Sequence, residues 1–259
     1  MPEGDTVYRA ARALNEVLAG RVLTRSDFRV PAFATVDLVG ETVESVVSVG
    51  KHLLHRVGDV TIHSHLKMEG AWHVYPVSAK WRRPAWQARA ILAVPGFVTV
   101  GFSLGVLEIV PREKEGEIVG YLGPDILGAD WDAELALRNL LADPDRPIGL
   151  ALLDQRVIAG LGNVYRNELC FLRGVLPTRA VRGVADPAGL IDLAHRVILS
   201  NRDRGQRSTT GDLRPGRTSW VDGREGKPCL RCGTPIRRGS LGESELTERD
   251  TYFCPHCQS

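Results

Sequence analysis

The chain has 259 residues, enough for one large domain or two compact ones. With 43% hydrophobic and 25% charged residues its composition is that of an ordinary globular protein, and no run of about 18 apolar residues is present to cross a bilayer as a helix. The net charge of +2 names no partner, and the first twenty residues, with acids at Glu3 and Asp5 and no apolar core behind basic residues, do not read as a secretory signal, so a cytoplasmic setting is expected.

Apolar residues at Val7, Ala10, Ala11, Leu14, Val17 and Leu18 fall on one helical face, so 5–18 is predicted as a helix with Gly20 as its stop. The period then shortens to β-type runs over 42–49, 52–57, 60–65, 71–75, 88–94, 98–102 and 106–109, punctuated by Gly and Pro. That many short strands with tight turns predict a sandwich or barrel. A Gly- and Asp-rich stretch around 123–130 reads as a linker, after which 132–141, 148–154, 164–171 and 187–200 are predicted helical. The last thirty or so residues are rich in Cys, Gly and Arg and too short to form a core unaided. The resulting fold class is α+β and multi-domain: a β-rich domain over 1–125, a helical domain over 130–220, and a stapled segment over 221–259.

Charge is segregated along the chain. From Glu108 to Arg146 ten acids meet four bases, whereas from Ser200 to Arg238 ten bases meet four acids. Nine of those ten bases are Arg, which suits bidentate phosphate contacts, so a polyanion is a candidate partner; a solvated charged loop explains the charge equally well.

Four of the five cysteines form Cys229-x-x-Cys232 and, 21 residues later, Cys254-x-x-Cys257. Two such turns can aim four thiolates at one ion, so a closed, structural zinc site is expected, with residues 236–240 and 251–253 forming a hairpin between the pairs. Two disulfides would require an oxidising compartment that the N-terminus does not support. Cys170 lies among Leu169, Phe171 and Leu172 and reads as core. His63 and His65 face the same way on one strand; with no third ligand evident they are read as structural.

Pro2-Glu3 offers a different chemistry. A small second residue permits removal of Met1, which would leave Pro2 with a free secondary amine; an α-amino group titrates near pH 8, so part of it is an unprotonated nucleophile at neutral pH. Glu3 stands beside it as an acid or base. Read alone, the pair is equally an ordinary frayed terminus.

MPEG at the start, GKHLL at 50–54, HLKMEG at 65–70, DQRVIAGLGNVYRNELCF at 154–171, DGREGKPCLRCG at 222–233 and RDTYFCPHCQ at 249–258 together resemble the formamidopyrimidine-DNA glycosylase/endonuclease VIII family of base-excision-repair enzymes. The resemblance spans nearly the whole chain. It implies an N-terminal helix and β-sandwich, a helix-two-turn-helix domain and a C-terminal four-cysteine zinc-finger hairpin, with damaged DNA as the partner, duplex or single-stranded, and a monomeric enzyme. It further implies that Pro2 attacks C1′ and forms a Schiff base, that Glu3 is the general acid/base, and that Lys51 contacts the lesion phosphate or sugar. Asn163 and Arg249 would grip backbone phosphates. Met68 is the candidate wedge filling the gap left by an extruded nucleotide, although a core Met reads as well from sequence. β,δ-Elimination would cleave the strand.

The chain departs from the family pattern in places. Thr6 stands where the formamidopyrimidine branch has a second glutamate, Gly4 resembles the endonuclease VIII branch, and 205–220 lacks the long Tyr-containing loop of purine-directed enzymes. Oxidised pyrimidines are therefore the expected substrates. Lys67 and Glu69 match neither branch, and the longer zinc hairpin leaves Arg237 and Arg238 without an assigned role. Three readings compete with the pyrimidine enzyme: a glycosylase for oxidised purines, a damaged-DNA binder without chemistry, and a zinc-ribbon interaction module. If DNA is the partner, it is expected on the Arg-rich side, leaving 108–146 largely uncontacted.

Overall fold

A computed structural model describes residues 2–259; Met1, whose removal the N-terminal chemistry needs, lies outside the described residues. The chain forms two compact units, one ending at Tyr121 and one comprising Leu122–Ser259.

The first unit begins with helix α1 (Gly4–Leu18), on which Val7, Ala11, Leu14 and Leu18 recur at helical spacing and are buried. Leu14 and Leu18, both essentially inaccessible, each contribute about 2 kcal/mol of burial. Two antiparallel sheets follow. The first has the order β1 (Arg21–Val22), β3 (Thr42–Val49), β4 (His52–Val57), β5 (Val60–His65), β9 (Val106–Pro111). The second has the order β2 (Arg25–Phe28), β7 (Ala88–Val94), β8 (Phe97–Phe102), β6 (Ala71–Pro76). Val43, Val46, Leu53, Val57 and Ile62 of the first sheet share one core with Phe28, Trp72, Ala90, Leu92 and Val94 of the second and with α1, so the two sheets form a sandwich with a helix packed in.

The period of two is visible on β7. Ala90, Leu92 and Val94 enter that core, while Ile91 faces a second cluster with Tyr75, Val100 and Phe102; a register irregularity between Ala88 and Ala90 puts Ala88 in that cluster too, where Ala79 and Trp81 of the 77–87 loop cover it. All seven predicted strands are present, with ends shifted by at most two residues. β1 and β2 were not anticipated, and a short helix, α2 (Glu115–Val119), stands in the acidic stretch.

The second unit packs α3 (Ala133–Leu141), α4 (Ile148–Ala151), α5 (Asn163–Leu172) and α6 (Pro187–Asn201) around Leu140, Ile148, Ile158, Tyr165, Leu169, Ile191 and Ile198. Two helices start on capping aspartates: Asp132 accepts from Leu135 N at 2.8 Å, and Asp186 accepts from Gly189 N at 2.8 Å with Pro187 in the first turn. The C-terminal segment ends in the hairpin β10 (Arg237–Leu241) and β11 (Arg249–Phe253). It builds a small core of Val221, Cys229, Ile236 and Cys254 against Phe171 of α5, so the stapled segment folds onto the helical part of its own unit. Cys170 is buried in the helical core, and burial pushes its thiol up to about 12. No helix among the described residues is long and apolar enough to cross a membrane.

Candidate active site and nucleic-acid interface

In the first unit, hydrogen bonds orient α1 against β3. Gly20 N donates to Val43 O at 2.7 Å, and Val46 N donates to Asn15 Oδ1 at 2.7 Å, so the helix runs antiparallel to the strand. From Asn15 back to Glu3 is about 18 Å of helix, and from Val46 on to Lys51 is about 16 Å of strand. The N-terminus of α1 and the Gly50-Lys51 turn therefore lie at the same end of the sandwich. Val49 pairs with His52, leaving Gly50 and Lys51 as a two-residue hairpin loop; Gly50, at φ 58°, supplies the positive first dihedral such a loop requires.

His52 pairs with His65 across β4 and β5, and His65 pairs with Val106, so the loop 66–70 leaves the sandwich from this end too. Gly70 N donates to Leu66 O at 2.8 Å, and a Cβ on Gly70 would collide with that carbonyl, which makes the turn tight. At its apex Met68 is 67% exposed and so is not a core residue. Pro2 is half-buried and Glu3 fully buried at the start of α1, where the Glu3 carbonyl accepts from Thr6 and Val7 N–H. The first unit thus gathers Pro2, Glu3, Lys51 and Met68 at one end, built from a helix N-terminus and two hairpin turns.

Beneath Lys51, His52, His63 and His65 form a cluster that the sequence revealed only in part. His63 Nδ1 bonds Glu108 Oε2 at 3.0 Å, His63 Nε2 bonds His52 Nδ1 at 2.8 Å, and His52 Nε2 bonds Tyr121 Oη at 3.1 Å. A carboxylate only accepts, so the neutral chain runs one way: His63 donates to Glu108, His52 donates to His63, and Tyr121 donates to His52. His52 is the third imidazole beside the predicted pair, yet among the described residues only the four cysteines form a cluster able to hold a metal ion. Burial, with the neighbouring imidazoles and Lys67 and Lys51 adding to it, lowers His52 to about 4 and His65 to about 3; burial alone lowers His55 to about 3. These histidines fold neutral and charge on unfolding. Their contribution is intact above the ordinary imidazole range and declines as pH falls from about 6.5 towards 3. The melting temperature of the first unit should fall across that window, and replacing His52 and His65 with asparagine should flatten the decline in a pH series of thermal melts.

In the second unit, Gln155 organises the turn before α5: its Nε2 donates to Leu153 O and Leu161 O, its Oε1 accepts from Gly160 N, and Gly160 takes φ 107°. Asn163 then opens α5. Its Nδ2 donates to Asp250 O at 2.9 Å, Arg166 donates to the same carbonyl at 2.9 Å, and Arg166 also bonds Asn163 Oδ1. Asp250 follows Arg249 on β11, so Asn163 and Arg249 are neighbours, the latter exposed on the hairpin. Arg238 pairs with Asp250 at 2.8 Å, and Arg237 is exposed.

Glu168, one turn on, was not anticipated. Fully buried, it accepts from Trp220, Val221 and Asp222 N–H at 2.8–2.9 Å and from Thr209 Oγ1, tying the Arg-rich loop to α5. Glu168→Ala would strand three backbone donors and should cost about 3–5 kcal/mol, read as a drop in denaturation midpoint, with proteolysis appearing first in 202–222.

The thiols of Cys229, Cys232, Cys254 and Cys257 are unpaired as disulfides, and their sulfurs all lie within 4.8 Å of one another, with Cys232 and Cys254 at 3.5 Å. Four sulfurs at about 2.3 Å from one ion would stand about 3.8 Å apart, so the donor set fits a tetrahedral metal. Gln258 holds the second turn, accepting from Cys254 N and donating to Val175 O at 2.8 Å, and the Arg231 guanidinium lies 4.4 Å over the Phe171 ring.

Comparison with known proteins decides the kinship. Residues 1–99 match the formamidopyrimidine-DNA glycosylase N-terminal domain, and residues 122–200 match the formamidopyrimidine-DNA glycosylase H2TH domain. The chain belongs to the formamidopyrimidine-DNA glycosylase/endonuclease VIII family. It is 55% identical to the probable endonuclease 8 2 of Streptomyces coelicolor, covering all of this chain and 94% of that one. It is 51% identical to the DNA-(apurinic or apyrimidinic site) lyase Nei2 of Mycolicibacterium smegmatis, over 100% and 99% of the two chains. These relatives place it on the endonuclease VIII side of the family. The same fold is seen in the Lactococcus lactis Fpg complex with abasic-site DNA, at a TM-score of 0.82 and 23% identity over the full length of both chains.

Proposed function

We propose that this chain is a base-excision-repair DNA glycosylase with AP lyase activity, acting in the cytoplasm on oxidised pyrimidines in DNA. Its relatives named endonuclease 8 and AP lyase support the activity, and Thr6 with the short 205–220 loop supports the pyrimidine preference. The single observation that carries the chemical assignment is the half-buried Pro2 next to the fully buried Glu3, at the sandwich end shared with Lys51 and Met68.

With Met1 removed, the Pro2 nitrogen lone pair attacks C1′ of the damaged nucleotide. The glycosidic bond breaks, the base leaves with a proton, and the opened sugar forms an iminium on Pro2. That cation is an electron sink: loss of the C2′ proton expels the 3′ phosphate, a further elimination expels the 5′ phosphate, and water frees Pro2. Glu3, dry and beside the amine, moves protons in these steps. Lys51 holds the lesion phosphate, and Met68 fills the vacated stack. Asn163 and Arg249 bind backbone phosphate, so 130–220 and 221–259 grip DNA while 1–125 carries the chemistry. One structural Zn2+ held by Cys229, Cys232, Cys254 and Cys257 fixes the Arg249 hairpin; its part is to hold the fold.

Incubation with oligonucleotides carrying thymine glycol, dihydrouracil, hydantoins or 8-oxoguanine, followed by borohydride, tests this. An adduct and excision of the pyrimidine lesions are expected; excision confined to 8-oxoguanine would overturn the substrate assignment, and no adduct with any lesion or abasic site would overturn the activity.

A further inference from the structure

The loop 77–87 carries a surface that this mechanism does not use. Of the five tryptophans, four have packing partners: Trp72 tilts against His55, Trp81 meets Phe102 edge-on, Trp131 stacks on His195, and Trp220 stacks on Phe171. Trp86 is different, with 74% of its surface exposed. It sits in a 3-10 turn, Ala85–Gln87, that leads into β7. The residues around it are basic. Lys80, Arg82, Arg83 and Arg89 lie within ten residues, and 77–89 contains no acid.

The position of this turn is fixed by register. Ala88 and Ala71 both pair with Phe102, so β7 starts where β6 starts, immediately after the Met68 loop. Ser103 N donates to Gln87 O at 2.8 Å, and Arg83 Nη1 donates to Glu69 O at 2.8 Å, which ties the Trp86 turn to the loop bearing Met68. Arg89 Nη1 donates to Trp86 O at 3.0 Å. These bonds to main-chain carbonyls orient Arg83 and Arg89 without neutralising them. An exposed indole with cations along its loop, beside an exposed Met68, has the composition of a surface for nucleic acid with its bases accessible: the cations meet phosphate and the ring meets a base face. In an intact duplex base faces are stacked inside the helix, so the indole finds a partner only where a base is unpaired.

We propose that Trp86, with Lys80, Arg82, Arg83 and Arg89, is a stacking platform for an unpaired nucleotide next to the lesion, and that it gives this enzyme added affinity for single-stranded or bubble DNA over closed duplex. The proposal rests on the reading of the chain as a DNA repair enzyme, and the experiment separates the two. The probe is a labelled oligonucleotide with a tetrahydrofuran abasic analogue, used single-stranded and annealed to its complement, with affinity read by fluorescence anisotropy at fixed salt.

Trp86→Leu keeps apolar bulk without a π face and should weaken single-strand binding by about five- to a hundredfold, while duplex binding changes by less than about twofold. Trp86→Phe should retain most of the single-strand affinity. The exposure of Trp86 makes both variants compatible with folding, which coincident thermal melts would verify. Unchanged single-strand affinity in Trp86→Leu, or an equal loss on both DNA forms, overturns the proposal; the first outcome would leave the patch to an acidic protein partner. Borohydride trapping of the wild-type enzyme on a natural abasic site is run in parallel. Its failure would count against the lyase reading, whereas a wild-type adduct with no effect of Trp86→Leu on binding would count against the platform alone.

Discussion

Keeping Met1 on the chain should abolish the covalent adduct with abasic DNA. Leucine at position 2 is bulky enough to prevent removal of Met1, so in Pro2→Leu the nitrogen of residue 2 becomes an amide, without a lone pair for attack, and the new amine is displaced by about 3.8 Å along the chain. Pro2→Gly is the milder change. It permits Met1 removal and leaves an amine, but a primary one without the ring that fixes φ, and its imine becomes an electron sink only after protonation. Misplacing a reacting atom by about 1 Å can cost a hundredfold, so the lyase rate of Pro2→Gly should fall by at least about that factor. Borohydride trapping, with intact mass confirming which terminus each protein carries, reads both. An undiminished adduct in the Met1-retaining protein would exclude Pro2.

Glu3→Gln should divide the steps differently. It leaves the amine in place, so trapping on a preformed abasic site persists, while excision of an intact lesion loses about a hundred- to ten-thousandfold as its proton donor and acceptor is removed. Equal loss on both substrates would instead indicate that Glu3 serves the structure, a real alternative for a fully buried residue at the start of α1.

The parts of this molecule that were legible in the sequence are those governed by period and spacing. Val7, Ala11, Leu14 and Leu18 announce α1, the short apolar run in 88–94 announces β7, and two C-x-x-C turns announce a four-sulfur cluster. β1 is two residues long, and β2 reads Arg-Ser-Asp-Phe, a polar run that forms a strand only because β7 offers it a partner. Arg166 and Glu168 look like solvated helix positions, since a charge on a helix normally faces water; only the returning 202–222 loop and the C-terminal hairpin bury them. Met68 read equally well as core or wedge until its exposure was known. Trp86 was missed because exposure of an aromatic is a tertiary property, although the acid-free cluster Lys80, Arg82, Arg83 and Arg89 could have drawn attention to its loop.

Removing the metal should abolish DNA binding before it unfolds the sandwich. The sulfur cluster, Ile236 and Val221 form a core of their own with Phe171, and structural zinc of this type supplies about 10–16 kcal/mol of apparent binding free energy to the fold that holds it. Without it the hairpin loses the support that holds β11, and with β11 go the Asp250 carbonyl that receives Asn163 and Arg166 and the strand presenting Arg249. The first unit has its own core of α1 and two sheets. Chelator titration should therefore reduce affinity for an abasic oligonucleotide to the salt-sensitive background while the β-sheet circular dichroism signal holds. Cys254→Ser should reproduce the loss.

Arg249→Ala provides the finer version of the same experiment. With the metal retained, it should weaken binding roughly uniformly across sequences and reduce the slope of log affinity against log salt by about one, the signature of a single lost phosphate contact. If affinity survived complete zinc loss, the hairpin could not be gripping DNA, and Arg249 with Asn163 would have to be reassigned to holding the second unit together.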